Sequence, residues 1–311
     1  MSAPDTDPPT LWQRLQENDL VHDFLRSPVA VFSALLVVVL CLAAAFAPLI
    51  APTNPFNPAN ANVIDGRLPP FSEGMFGDYY LLGTDPQGRD MLSAVLYGAR
   101  TSLIVGISAV AFAAVVGVAL GLLSGFIGGY VDSILMRIAD VQLSFPAILI
   151  ALLVDGIART ALDRSFHQSI AIFVIIFAIG ISNWVQYART VRSVTLVEKN
   201  REYVQAARVT GVSPVRIMLR HILPNVTGPV LVIATISLAL AIITESTLSF
   251  LGVGMPPTQP SLGTLVRIGY EYLFSGSWWI TIFPGAMLVL LALSVNLLGD
   301  WLRDALNPRL R

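Results

Sequence analysis

The sequence is poor in the residues from which soluble enzymes build active sites. Only 13% of its 311 residues are charged and 55% are hydrophobic, whereas about a quarter of a soluble domain is charged. With one cysteine, Cys41, and three widely spaced histidines, an internal disulfide, a cysteine-based zinc site and an HExxH pair are excluded. The net charge of −1 argues against nucleic acid as a partner. We expect a membrane protein without a metal or cofactor that is not itself an enzyme.

Lysine is almost absent as well. The single lysine, Lys199, is followed by Asn200, but a phosphate-binding P-loop needs Gly-Lys followed by Ser or Thr. The chain therefore cannot supply that kind of ATP site, and any ATP-driven function would depend on another polypeptide.

Long hydrophobic runs, by contrast, are abundant. About 20 apolar residues cross a bilayer as a helix, and the stretches that qualify are 29–50, 101–125, 133–154, 169–188, 228–250 and 279–302. The first follows a polar segment and is longer than the apolar core of a signal peptide, so we expect a retained span. Pro146 is expected to kink the third span. These runs predict an all-α membrane protein with six transmembrane helices.

The distribution of Lys and Arg predicts the orientation of the spans. With the N-terminus inside, thirteen of the nineteen Lys and Arg residues lie on the inner side, seven of them in segment 189–227. Since cytoplasmic loops are enriched in these residues, the N-terminal segment 1–28 and the tail 303–311 are expected in the cytoplasm. Segment 51–100, rich in turn-forming residues, is then an extracytoplasmic loop without helical or strand periodicity.

The inner segment between the fourth and fifth spans is expected to fold as two short helices. Alanines and Gln205 favour a first helix, and Gly211 is the residue type that ends helices in a left-handed turn. Ser213 is suited to the N-cap of a second helix, and Pro214 is suited to its first helical position. A second helix is predicted through "VRIMLRHI", with Pro224 ending it before the fifth span.

This helix pair has two interpretations. A loop that only sets the topology needs positive charge but no capped helices. The small residues Ala206, Ala207 and Gly211 are expected to give the helix pair one face with few projecting side chains, so that another surface can approach closely. A docking element explains both the caps and the small residues.

The same segment resembles the EAA loop of ABC-importer permeases, in which Glu-Ala-Ala is followed by three residues, Gly, nine residues and a hydrophobic-x-Leu-Pro ending. Here "QAARVTGVSPVRIMLRHILP" departs from that pattern at Gln205 and at His221. The C-type permease subunit of dipeptide, oligopeptide and nickel importers is also similar to the segments 27–52, 82–103, 128–149 and 244–257. The resemblance covers nearly all of the chain after about residue 20 and implies a type I ABC-importer permease fold, with a five-helix core over 101–302.

The resemblance implies several partners in a bacterial inner membrane. These are a second, B-type permease subunit, two ATPase domains that bind ATP and Mg, an extracytoplasmic solute-binding protein, and membrane lipid. The inner segment would dock on the ATPases. The residues expected at that contact are Tyr203, Gln205, Ala206, Ala207, Gly211, Ser213 and Pro214.

Few polar groups fall within the predicted spans. Glu245 is the only acid well inside a span, and because intramembrane acids are costly and usually functional, it is predicted to line the translocation path or a gate. The alternative is that Glu245 has a structural role and pairs with another polar group near the membrane interface. Asn183 is a second candidate for the path, although hydrogen bonding between helices is the commoner role of such residues.

Other features near the spans also have more than one interpretation. Arg137 and Asp140 share a helical face near Asp132, which fits either interfacial anchoring or transmission of ATPase movement. Segment 82–90, "LGTDPQGRD", fits either a contact with the binding protein or a structural elbow capped by its aspartates. The glycines of the second span predict close helix packing, at Gly98, Gly106, Gly117 and Gly121.

The sequence therefore favours an ATP-driven importer subunit for di- or oligopeptides or a related small solute. The alternative is a secondary transporter or channel that needs no ATPase. Such proteins usually carry ionisable residues at mid-membrane, and here these are few.

Overall fold

The computed structural model describes residues 19–161 and 164–305, so most of the predicted segment 1–28 and of the tail 303–311 lies outside the described residues. In the described residues a short hairpin is formed by β1 (Ser72–Glu73) and β2 (Tyr79–Tyr80). The helices are α1 (Asp19–Arg26), α2 (Pro28–Ala45), α3 (Ala47–Ile50), α4 (Met91–Ile127), α5 (Gly129–Leu143), α6 (Ala147–Ala161), α7 (Arg164–Glu198), α8 (Glu202–Val209), α9 (Pro214–Ile217), α10 (Leu223–Phe250), α11 (Leu262–Tyr270) and α12 (Trp279–Ala305).

Five helical segments are long and apolar enough to cross a membrane, and six are if a bent pair counts as one span. Four are formed by α2, α4, α7 and α12, and the fifth runs through α9 and α10. The bent pair is α5 and α6, whose axes meet at 92°. The chain turns through about a right angle around Pro146, so the proline expected to kink a continuous helix instead separates two helices.

The bend between α5 and α6 is held against α7 by one side chain. Gln142 donates through Nε2 to the carbonyl oxygen of Ile181 at 2.5 Å and accepts the indole N–H of Trp184 at 2.7 Å. Because this partly buried amide both donates to and accepts from α7, Gln142 holds the bend in position.

The second span begins earlier than the hydrophobic run predicts. Asp90 caps α4, accepting the amide N–H of Ser93 at 2.7 Å, so the helix starts at Met91 rather than at residue 101 and is 37 residues long. The predicted outer loop 51–100 therefore ends at Asp90. The start was misplaced because Arg100 and the polar residues before it reduce the hydrophobicity without interrupting the helix.

The outer segment is a folded unit and not an extended loop. Its hairpin pairs Ser72 with Tyr80, and Asp65, which is 3% exposed, accepts the amide N–H of Met75 at 2.9 Å and the side-chain amide of Asn62 at 2.7 Å. Burial and the nearby Asp65 raise the pKa of Tyr80 to about 12. Two-residue strands are too short to produce a periodic pattern, which is why the sequence did not predict them.

The core of the molecule lies where α4 packs along α7. Gly117, Gly121 and Gly125 form a stripe on α4, and a β-carbon added to any of them would lie 2.4–2.7 Å from atoms of α7. The prediction of close packing is correct here, and the contact is made within the chain. Small residues let helix backbones approach closely in this way.

Candidate functional site

The inner helix pair begins with α8, which ends as its sequence predicts. Gly211 has φ +76°, its amide donates to the carbonyl of Arg208, and the amide of Val212 donates to the carbonyl of Ala207, both at 3.0 Å. These two bonds are the pattern of a Schellman C-cap, in which glycine suits the left-handed position. The turn redirects the chain from α8 into α9.

The underside of α8 is apolar and buried. Val204 and Ala207 join a cluster with residues from the inner ends of neighbouring helices, namely Leu122, Val191, Ile217, Ile222 and Val226. The cluster seats α8 against α4, α7 and α10. Ala207 therefore faces the protein interior and is not part of the exposed face to which the sequence assigned it.

The opposite face of the helix pair is open. Gln205, Ala206, Gly211, Ser213 and Pro214 are exposed, and a side chain added to Gly211 would meet no atom of the chain within 4 Å. Ser213 occupies the N-cap position of α9, but its side chain makes no capping hydrogen bond.

Exposed apolar side chains flank this open face, and the sequence interpretation did not single them out. They are Val209, Val215 and Leu219, of which Val209 is 88% exposed. Their signal in the sequence was the presence of aliphatic residues on both sides of Gly211 within a basic segment. Exposed aliphatic groups next to a surface of small side chains are typical of a protein–protein interface.

Pro224 does not end the second helix, contrary to prediction. Met218–Ile222 forms a π turn that runs directly into α10, where Pro224 lies in the first turn. Proline lacks the N–H for the usual bond, and its ring collides with the carbonyl four residues earlier. The wider turn accommodates the proline, so the chain continues into the span.

Ion pairs tie the inner end of α7 to α5. Arg192 donates through Nε and Nη2 to the two carboxylate oxygens of Asp132 at 2.5 and 2.6 Å, a bidentate geometry that is among the strongest available. Asp140 also pairs with an arginine of α7, Arg189, and not within its own helix as its spacing from Arg137 suggested. Both acids of the predicted cluster therefore bridge helices.

The single lysine has a structural position at the same end of the molecule. Lys199 donates through Nζ to the carbonyl oxygen of Gly125 at 2.7 Å, in the last turn of α4. A cation is favourable at a helix C-terminus, where carbonyl groups lack partners. Lys199 therefore joins the segment just before α8 to α4.

Tyr203 lies at the edge of the open face but bonds inward. Its hydroxyl donates to Oε2 of Glu198 at 2.5 Å and accepts Nδ2 of Asn225 at 2.8 Å. Burial, followed by the hydrogen bond to Glu198, raises the pKa of Tyr203. Its hydroxyl is thus engaged with α7 and α10, unlike the side chains of Gln205 and Ala206.

The two candidates for the translocation path lie in different surroundings. Glu245 is fully buried, and its carboxylate accepts the hydroxyls of Ser102 and Ser249, each at 2.7 Å. Asn183 is partly exposed and donates to the carbonyl of Ile179 in its own helix at 2.8 Å. Glu245 therefore does not face an open cavity in this structure.

Two family models together match most of the chain. Residues 117–311 match the family described as binding-protein-dependent transport system inner membrane component. Residues 11–70 match the N-terminal transmembrane domain of oligopeptide transport permease C.

Characterised relatives are similar over most of their length. The dipeptide transport system permease protein DppC of Haemophilus influenzae is 35% identical over 93% of each chain. The di/tripeptide permease DppC of Pseudomonas aeruginosa is 34% identical over 100% of this chain and 97% of its own. The oligopeptide permease OppC of Bacillus subtilis is 34% identical over 97% of this chain and 91% of its own.

A solved structure shares the fold. The inward-facing MetNI methionine ABC transporter aligns with a TM-score of 0.54 and 21% identity, over 70% of this chain and 98% of the matched chain. The first family match includes α7 to α10 and the end of α4 that joins the apolar cluster under α8. The chain is a multi-pass permease subunit and belongs to the family of binding-protein-dependent transport system inner membrane components.

Proposed function

We propose that the chain forms half of the translocation pathway of an ATP-driven importer for di- or oligopeptides. The cargo class is supported by relatives that are named dipeptide, di/tripeptide and oligopeptide permeases. The family's dependence on a binding protein disfavours a secondary transporter or channel. The cargo is tested by deleting the gene and measuring uptake of labelled di- and oligopeptides, and normal uptake of both would contradict this assignment.

The proposed partners follow the organisation expected for this family. A B-type permease would complete the pathway, two cytoplasmic ATPase domains would bind ATP and Mg, and a solute-binding protein would deliver cargo from outside. Both termini and the docking element would lie in the cytoplasm of a bacterial inner membrane.

The observation that best supports ATPase docking is the open face of α8 and α9. Six of the seven residues predicted at that contact are exposed and Ala207 is buried; of the six, Tyr203 has its hydroxyl bonded inward. The aliphatic side chains of Val209 and Val215 add apolar area to this face. We therefore propose that Gln205, Ala206, Gly211, Ser213 and Pro214 contact the ATPase, with these two valines beside them.

Substitution of Gly211 by valine tests the docking proposal. A β-branched residue at φ +76° costs about 1–2 kcal/mol, and the added side chain would project into the space left open for the partner. We expect Gly211→Val to insert normally but to lose its ATPase in mild detergent and to stop transport.

Gly211→Asn is the matched control, because asparagine tolerates the left-handed conformation better than other side chains of its size. It should retain more ATPase than Gly211→Val, as measured by co-purification and peptide uptake. If Gly211→Val keeps its ATPase and transports normally, the segment only sets the topology.

We propose that Glu245 and Asn183 belong to the translocation path or its gate. The complete burial of Glu245 favours a gating role exerted through the outer loop over direct contact with cargo. Asn183, which is partly exposed, keeps the role of a pathway residue in this proposal.

A further inference from the structure

One hydroxyl group bonds the docking helix to both spans that flank it. Tyr203, in the first turn of α8, donates to Glu198 at the end of α7 and accepts from Asn225 in the first turn of α10. The Glu198 side chain is only 16% exposed. Because a tyrosine hydroxyl both donates and accepts, a single oxygen serves both contacts, and the one to a carboxylate is the stronger kind.

The same group of side chains covers the π turn. Asn225 donates through Nδ2 to the carbonyl oxygen of His221 at 3.1 Å. The ring of Tyr203 stacks on the imidazole of His221, with centroids 6.5 Å apart and an interplanar angle of 20°. π turns have less regular backbone bonding than α turns and are frequent at functional sites. Tyr203 and Asn225 therefore brace the place where the docking element joins the fifth span.

The remaining contacts of α8 constrain its direction less. Arg208 lies over the ring of Phe126 in α4, 5.3 Å from the centroid, and Gln205 donates to the carbonyl of Lys199 at 3.4 Å, but neither contact joins α8 to α10. The underside of α8, Val204 and Ala207, packs in an apolar cluster, and apolar contact is non-directional. Its C-terminal end leaves through Gly211 into α9, which has only four residues. Hydrogen bonds at Tyr203 restrict the rotation and sliding that apolar contact permits.

We propose that Tyr203 is a positioning residue that makes α8 move as one body with the inner ends of α7 and α10. Movement of the docked ATPase is thereby passed to two spans at once. This inference rests on the proposed docking function and adds a residue that acts after docking. Tyr203 is accordingly reassigned from the docking face to the connection behind it.

Tyr203→Phe tests the connection, because it keeps the ring against His221 and removes the hydroxyl. In the complete complex with its binding protein, we expect the ATPase to co-purify as in the native complex and ATP hydrolysis to continue. Peptide uptake per ATP hydrolysed should fall about tenfold, the factor expected for loss of a hydrogen bond to a charged group.

Asn225→Leu removes the donor on α10 and should give a similar loss of uptake per ATP. Since both substitutions remove the bond between Tyr203 and Asn225, the double variant should lose less than the sum of the two single variants. Thr227→Val is the control, because that hydroxyl donates to the carbonyl of Pro224 at 2.7 Å in the same region and makes no contact with α8. It should leave uptake per ATP unchanged.

The outcomes separate this inference from the docking proposal. If Gly211→Val keeps its ATPase, docking itself is wrong. If Gly211→Val loses its ATPase while Tyr203→Phe retains normal uptake per ATP, docking stands and the positioning role is overturned. Loss of ATPase binding in Tyr203→Phe, or additive effects with Asn225→Leu, would equally overturn it. Should Tyr203→Phe fail to fold or to insert into the membrane, the same test is made by comparing uptake per ATP hydrolysed in Asn225→Leu and in Thr227→Val.

Discussion

Glu245 shows how a single buried carboxylate can order a loop that it does not touch directly. Ser249 and Ser102 donate to it, and their oxygens accept the backbone N–H groups of Met255 at 3.1 Å and Leu262 at 3.3 Å. The carboxyl oxygens of Glu245 accept both hydroxyl protons, which leaves the serine oxygens free to accept from the backbone. The outer loop after α10 is held to α4 through this arrangement.

Glu245→Gln should disturb this order without preventing assembly. The glutamine amide is a donor, so one serine must turn to accept from it and no longer serves the backbone in the same way. We expect a loss of about 1–3 kcal/mol in stability and slower transport, measured by thermal unfolding in detergent and by peptide uptake.

Thr247→Val is the comparison for this variant, because that exposed hydroxyl bonds only the carbonyl of Ile243 in its own helix. It should change stability little. A Glu245→Gln complex with native stability and native uptake would show that the carboxylate has neither the ordering nor the gating role.

At the scale of the helices, the contact between α4 and α7 depends on the absence of side chains. A β-carbon at Gly121 would lie 2.6 Å from the carbonyl oxygen of Ala188 and 2.8 Å from Cβ of Val191. A backbone oxygen cannot move aside as a flexible side chain can, so α7 itself would have to shift. The stripe therefore sets the spacing of the two longest helices in the described residues.

Gly121→Ala should destabilise the protein by about 1–3 kcal/mol, the usual cost of overpacking a core. Gly156 in α6 offers a matched control, because a β-carbon there would meet no atom within 4 Å. Gly156→Ala should be neutral or should stabilise by up to about 1 kcal/mol through better helix propensity. Thermal unfolding of the two variants in the same detergent measures the difference, and equal midpoints would contradict the close-packing explanation.

For the molecule as a whole, the proposed topology places two exposed residues on opposite sides of the membrane. Met75 lies in the hairpin segment and is 69% exposed, and Val209 is the last residue of α8. In a Cys41→Ser background, Met75→Cys should react with an impermeant thiol reagent added from outside, and Val209→Cys only from the cytoplasmic side. Labelling of Met75→Cys from the cytoplasmic side alone would contradict the proposed topology.

Local features were predictable from the sequence, whereas contacts between distant segments were not. The left-handed Gly211 and the start of α9 at Pro214 depend on neighbouring residues only, and both predictions are confirmed. The partners of Glu245 include Ser102, 143 positions away, which no local pattern reveals. The prediction that Pro224 ends a helix was wrong because a widened turn can accommodate a proline. Whether such a turn forms depends on the side chains that pack around it, and these come from distant parts of the sequence.

The π turn at Met218–Ile222 also has a consequence for the opposite end of α10. A π turn contains one residue more than an α turn, and one residue corresponds to about 100° of rotation around a helix. Every side chain of α10 is therefore rotated by roughly that angle from where an uninterrupted α-helix would place it. Deleting one residue within the turn would rotate Glu245 away from Ser102, so the direction in which the C-terminal end of α10 presents its side chains is set at its N-terminal end.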